Sequence, residues 1–75
     1  MDEPQYGDYT LTPCGPLGGR VAVSDRRYFQ TYLETEDALG AIRSRMESER
    51  CWPAVWWVSD HGNCWQIDLD GNEVT

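Results

Sequence analysis

One amphipathic helix pattern constrains the fold of this chain more than any other feature. Between Thr35 and Cys51, apolar residues recur at the 3.6-residue spacing of a helix that buries one face: Ala38, Leu39, Ile42 and Met46. Thr35 offers an N-cap, and the acidic Glu36 and Asp37 suit the first helical turn. Pro53 prevents the helix from continuing. Because a single apolar stripe must pack against another layer, the flanking segments have to supply a sheet.

β-strand patterns flank the helix on both sides. The segments 21–23 and 28–33 precede it, and 54–58 and 64–68 follow it. All four are rich in β-branched and aromatic residues, which favour strands. The sequence therefore predicts an α+β fold, a ββαββ antiparallel sheet with one helix packed on one face.

The loop of the second hairpin predicts the strand register. The segment 60–62 suits a type I turn followed by a left-handed residue, and this loop sets Trp57 beside Trp65 on the face under the helix. Trp56 and Val58 then face the other way. A loop one residue longer would exchange Trp56 with Trp57, so the sequence leaves open which of the two faces solvent.

The first twenty residues differ from the rest of the chain in their high content of Pro and Gly. They contain seven chain-breaking residues: Pro4, Gly7, Pro13, Gly15, Pro16, Gly18 and Gly19. This density predicts an N-terminal arm or loop over residues 1–20, packed on a single domain over 21–75, with at most a short strand near 9–12.

Charge narrows the class of partner. Thirteen Asp and Glu against six Arg and Lys give a net charge of −7. This charge disfavours direct contact with nucleic acid or an anionic membrane, and it favours a partner protein with a basic surface. The alternative is that the charge only keeps the protein soluble. With no apolar run near ~18 residues, and no signal-peptide pattern at Met1–Pro4, we expect a cytoplasmic protein.

The candidate binding residues combine aromatic and acidic side chains. Trp and Tyr dominate binding hot spots, so one prediction is an exposed aromatic patch with acidic groups around it. Its members are Trp56, Val58, Tyr28, Tyr32, Glu36, Asp37, Glu47 and Glu49. The alternative is that the N-terminal arm covers the outward-facing Trp and makes a minor core.

The sequence patterns that could indicate a metal site or a catalytic site are weaker than the pattern of the aromatic and acidic residues. Cys14, Cys51, His61 and Cys64 are the residue types of a three-Cys, one-His zinc site, but their spacing is scattered and also fits isolated core and surface residues. Cys64 and His61, with Asp60, are the types of a nucleophile, base and orienter, yet adjacent hairpin positions rarely supply that geometry. We therefore expect no cofactor and no enzyme.

In size, charge, layout and lack of catalytic residues, the chain resembles the small proteins with which phages and mobile elements inhibit host machinery, anti-CRISPR proteins among them. The resemblance is one of general properties and covers no motif. It implies a protein-binding module that docks on a basic surface, as an inhibitor or nucleic-acid mimic, in the host cytosol. The alternatives are a self-associating homodimer and a zinc-stabilised module.

Overall fold

A computed structural model describes residues 3–74. The ends of the predicted arm and domain (Met1, Asp2 and Thr75) lie outside the described residues. The elements follow in chain order: β1 (Tyr9–Cys14), a 3₁₀ turn (Pro16–Gly18), β2 (Arg20–Ser24), β3 (Phe29–Tyr32), α1 (Thr35–Glu49), β4 (Val55–Val58) and β5 (Cys64–Ile67).

The five strands form one mixed sheet in the order β3-β2-β1-β4-β5. Neighbouring strands are antiparallel except for β1 and β4, which are parallel. The predicted α+β class is confirmed, whereas the predicted ββαββ antiparallel order is wrong. Three strands precede α1, and the helix carries the chain from the edge strand β3 across to β4, which pairs with β1.

The central strand β1 lies in the segment that was predicted to be an arm. Tyr9 and Leu11 are buried, and Pro13 occupies a strand position without breaking the ladder. The Tyr9 N–H donates to the Ala54 carbonyl at 3.0 Å, so the backbone groups of alternate β1 residues, including Pro13, face β4. The pairing with β4 ends at Leu11. The missing N–H of Pro13 therefore costs no ladder hydrogen bond.

The helix buries the predicted stripe. Its buried residues are Ala38, Leu39, Ile42 and Met46. It begins at Thr35, so the cap position falls on Glu34, whose carbonyl accepts from the Ala38 N–H at 3.2 Å. It ends at Glu49, and the next residue, Arg50, caps it in a left-handed conformation (φ 53°).

The core lies between the helix and one face of the sheet. Its strand members are Tyr9, Leu11, Val21, Val23, Val55 and Ile67. The predicted register of the second hairpin is confirmed, with Val55 opposite Ile67 and Trp57 opposite Trp65. Gly62 has the positive φ of 88° that its turn requires.

The helix does not cover the sheet evenly. It packs most closely on β2 and β3, which leaves the β4–β5 side of the same face less covered. In the part of the chain that the structure describes, no helix combines the length and apolar character of a membrane span.

Candidate protein-binding groove

An apolar groove of about 550 Å³ opens between the C-terminal half of α1 and the β4–β5 hairpin. It lies where the helix leaves the sheet less covered. Its lining comprises Met46, Trp52, Pro53, Ala54, Val55, Gln66, Ile67, Asp68, Leu69 and Val74. Since most of these side chains are apolar, the groove suits an apolar group.

The end of the helix positions Trp52 beside this groove. The Cys51 N–H donates to the Met46 carbonyl at 3.2 Å, which closes the last turn, and Pro53 stops any further helix. The Trp52 side chain therefore falls in the short connection before β4, and it remains 65% exposed. An exposed Trp bordering an apolar groove is typical of a contact site.

The chain after β5 forms the opposite wall. The Val74 N–H donates to the Gln66 carbonyl at 2.8 Å, so the chain end runs back along β5. The Asp68 carboxylate accepts from the backbone N–H groups of Asp70 and Asn72, both at 2.9 Å. This turn holds Leu69 half-buried against the core. This wall is therefore held by hydrogen bonds that the backbone N–H groups of residues 70, 72 and 74 donate.

Leu69 also borders a second depression, of about 330 Å³, on the side toward the helix start. Two exposed carboxylates, Glu36 and Asp70, line this depression together with Arg43. Thus one end of the apolar groove leads to a mixed but mainly acidic rim.

The predicted aromatic patch is not assembled in the structure. Trp56 lies on the sheet face away from the helix and is 6% exposed, and its indole N–H donates to Asp8 at 3.0 Å. Val58 is half-buried on the same face. Tyr28 and Tyr32 pack instead against the core on the helix side. Alternation along the strands therefore separates the four residues.

Tyr28 and Tyr32 belong to a cluster around Arg45. The Arg45 guanidinium lies 4.0 Å from the centre of the Tyr28 ring, and the hydroxyls of Tyr28 and Tyr32 share a hydrogen bond. The Arg45 Nε donates to the Tyr9 hydroxyl at 3.3 Å, which raises the pKa of Arg45. Burial, followed by the hydrogen bond to Tyr28, raises the pKa of Tyr32 to about 12. These contacts join the helix to β1 and to the edge of the sheet.

The predicted acidic residues occupy both ends of the helix. Glu36 and Asp37 are exposed in its first turn, and Glu47 is exposed near its end. Glu49 forms an ion pair with Arg45 at 3.2 Å. Two of these four line depressions that share a residue with the groove: Glu36 lies in the one that shares Leu69, and Glu49 in one that shares Pro53.

The predicted zinc set is not brought together. Within residues 3–74, no group of three or more His, Cys, Asp or Glu side chains could hold a metal ion. Cys14 ends β1, Cys51 is exposed after the helix, and His61 is exposed in the hairpin turn, with Asp60 at 3.6 Å. Cys64 begins β5, and none of the three cysteines forms a disulfide.

Trp52, Leu69 and Val74 line the groove but are not among the site residues that the sequence predicts. Trp52 carried one usable signal, since it is a large aromatic residue that belongs to neither the helix stripe nor the strand pattern. Leu69 and Val74 carried none, because their place in the groove depends on how the chain turns after β5.

Comparison of the chain with protein-family models, with curated proteins and with solved structures finds no match. The groove and its surroundings therefore carry the functional information in this structure.

Proposed function

We propose that the protein is a binding module whose groove accepts an apolar side chain from a basic segment of a partner protein. The observation that carries the proposal is Trp52, which is 65% exposed at the rim of an apolar groove of about 550 Å³. Covering a Trp side chain and the groove floor removes apolar surface from water, and this is the main favourable term in association.

The floor of the groove supports an insertion mode of binding. Met46, Val55 and Ile67 are buried core residues that also line it, so the floor is held by the core itself. A preformed apolar depression of this size accommodates one or two large side chains. Because little ordering of the protein is needed on binding, the entropic cost falls mainly on the partner.

Charge supports a basic partner. The net charge of −7 creates a negative potential over the surface, and the rim adds the exposed carboxylates Glu36 and Asp70. Arg or Lys residues that flank an apolar anchor would be attracted to this rim. Such attraction speeds association and weakens as salt is added.

The residues that line the groove support a binding function rather than a catalytic one. Asp68 is the only carboxylate among the described residues of the groove lining, and it accepts two backbone hydrogen bonds within its own turn. Acid–base chemistry generally needs two titratable groups held in different environments. The narrower prediction of a phage or mobile-element inhibitor stays a prediction.

Selection from a randomised peptide display library would test the proposal. The library is selected on the wild-type protein and counter-selected on Trp52→Ala. Leu17→Ala is the matched control, because Leu17 is also an exposed large apolar residue but lies in the turn between β1 and β2. We expect peptides in which Arg or Lys flanks a large apolar residue.

The recovered peptides should bind the wild-type and Leu17→Ala proteins equally and bind Trp52→Ala about tenfold more weakly or worse. Their affinity should fall when salt is raised from about 50 to about 300 mM. Peptides that are neutral or acidic, or that bind Trp52→Ala as tightly as wild type, would contradict the proposal.

A further inference from the structure

The two edge strands of the sheet differ in how well their outward-facing backbone groups are protected from pairing with another strand. Beyond β5, the backbone of Val74 donates to Gln66, so the chain end partly covers that edge. The other edge is β3, which pairs only with β2 among the described strands. Phe29 is 69% exposed and Leu33 is 65% exposed along this edge. No Pro, Lys or bulge interrupts β3, although natural edge strands commonly carry such protection.

One hydrogen bond shows which backbone groups face outward. The Asp25 N–H donates to the Tyr28 carbonyl at 3.0 Å, so Tyr28 is in a hydrogen-bonded pair with β2. In an antiparallel ladder these pairs alternate. The backbone groups of Phe29 and Thr31 therefore point away from β2, toward the open edge, and Leu33 follows in the bend after the strand.

We propose that this edge binds a second copy of the chain, by antiparallel pairing of β3 with β3 about a two-fold axis. Side-chain alternation requires that paired residues lie on the same face of the joined sheet. A pairing centred on Thr31 satisfies this, and if the strand extends by one residue to Leu33 it forms about six backbone hydrogen bonds. It also sets Phe29 of each copy against Leu33 of the other, on the face away from the helix.

The charges on either side of β3 complement each other in this arrangement. Arg26 and Arg27 precede the strand, whereas Glu34 and Glu36 follow it. Antiparallel pairing brings the end of β3 that carries the two arginines in one copy close to the end that carries the two glutamates in the other. All four side chains are exposed, and within the described residues none of them forms an ion pair in the single chain. A parallel pairing would instead oppose like charges.

The dimer shares only Glu36 with the rim of the proposed groove. β3 and β5 lie at opposite ends of the strand order, and Trp52 and Leu69 belong to the β5 end. A monomeric result would therefore leave the groove proposal intact. The interface is small, so we expect half-dissociation at roughly 10–100 μM.

Sedimentation velocity over a range of protein concentrations tests the proposal. Wild type should shift from monomer to dimer as its concentration rises. Thr31→Pro should stay monomeric, because Pro removes an outward-facing N–H at the centre of the pairing. This variant keeps every β2–β3 hydrogen bond, so its far-UV circular dichroism and melting should match those of dilute wild type.

A charge exchange gives a second test that does not depend on Thr31→Pro folding. Arg26→Glu/Arg27→Glu and Glu34→Arg/Glu36→Arg should each dimerise at least about tenfold more weakly than wild type. The two variants mixed should form heterodimers, which native mass spectrometry separates by mass. Glu34→Arg/Glu36→Arg has a smaller net negative charge than wild type, so reduced repulsion between the copies would by itself strengthen its dimer. Weaker dimerisation of this variant would therefore reflect the loss of local charge pairing.

Wild type that stays monomeric up to about 1 mM would overturn the proposal, since this concentration is at least about tenfold above the expected dissociation constant. A dimer that Thr31→Pro and both charge variants leave unchanged would also overturn it, because it would use another surface.

Discussion

The Asp8 carboxylate accepts the indole N–H of Trp56 at 3.0 Å, across 48 positions of the chain. The same oxygen accepts the Gln5 N–H at 2.9 Å, which closes a turn just before β1. Trp56 lies on the sheet face away from the helix, yet it is buried, and Asp8 satisfies its one polar group. This is the arrangement expected if N-terminal residues cover the outward-facing Trp.

Asp8→Ala should lower the free energy of unfolding by about 1–2 kcal/mol, since it leaves a buried indole N–H without its acceptor. Asp8→Asn retains an acceptor oxygen and should cost less. Urea unfolding of the two variants and wild type, followed by Trp fluorescence, measures both values. Equal losses for Ala and Asn would show that the hydrogen bond to Trp56 contributes little.

Arg45 should contribute more to stability than either of its ion pairs suggests. Its guanidinium lies over the Tyr28 ring and contacts Tyr9, Asp25 and Glu49. Arg45→Met should cost about 1–2 kcal/mol, because the cation–π contact and the hydrogen bond to Tyr9 are lost together. Glu49→Gln removes only an exposed i,i+4 pair and should cost about 0.5 kcal/mol or less. Chemical denaturation compares them, and a larger effect at Glu49 would contradict this interpretation.

Tyr32 should make the protein less stable in strong alkali. Burial and the hydrogen bond to Tyr28 raise the pKa of Tyr32 from 10.0 to about 12 in the folded state. Between these values the unfolded chain loses the proton while the folded protein keeps it, so stability is complete below pH 10 and is lost as pH rises toward 12. Tyr32→Phe should show a shallower fall over this interval.

Denaturant midpoints at several pH values measure that slope. Absorbance of tyrosinate near 295 nm, compared between wild type and Tyr32→Phe, locates the ionisation itself. Identical pH dependence in the two proteins would show that another group is responsible.

Arg50→Gly should stabilise the protein. Arg50 has a φ of 53°, a conformation that costs a residue with a side chain about 1–2 kcal/mol and costs Gly little. Allowing for the greater freedom of Gly in the unfolded chain, we expect a gain of about 0.5–1 kcal/mol. Arg50→Ala is the control and should give no gain, because it keeps the β-carbon. A melting temperature that is unchanged or lower in Arg50→Gly would contradict the prediction.

Local patterns predicted the helix and the second hairpin well. The stripe from Ala38 to Met46 and the pairing of Trp57 with Trp65 each depend on residues close in sequence, where spacing and turn chemistry decide the conformation. The place of β1 was not predictable in this way. Its neighbour β4 is distant in the chain, and Pro13 is tolerated only because the ladder with β4 ends before it.

The features of the candidate site also differ in whether local sequence or tertiary structure determines them. The strongly negative net charge follows from composition, which is a property of the sequence by itself. The exposure of Trp52, the burial of Trp56 and the open edge at Phe29 were decided only by the tertiary structure. The physical reason is that exposure depends on which segments cover a residue, and here the covering segments come from distant parts of the chain.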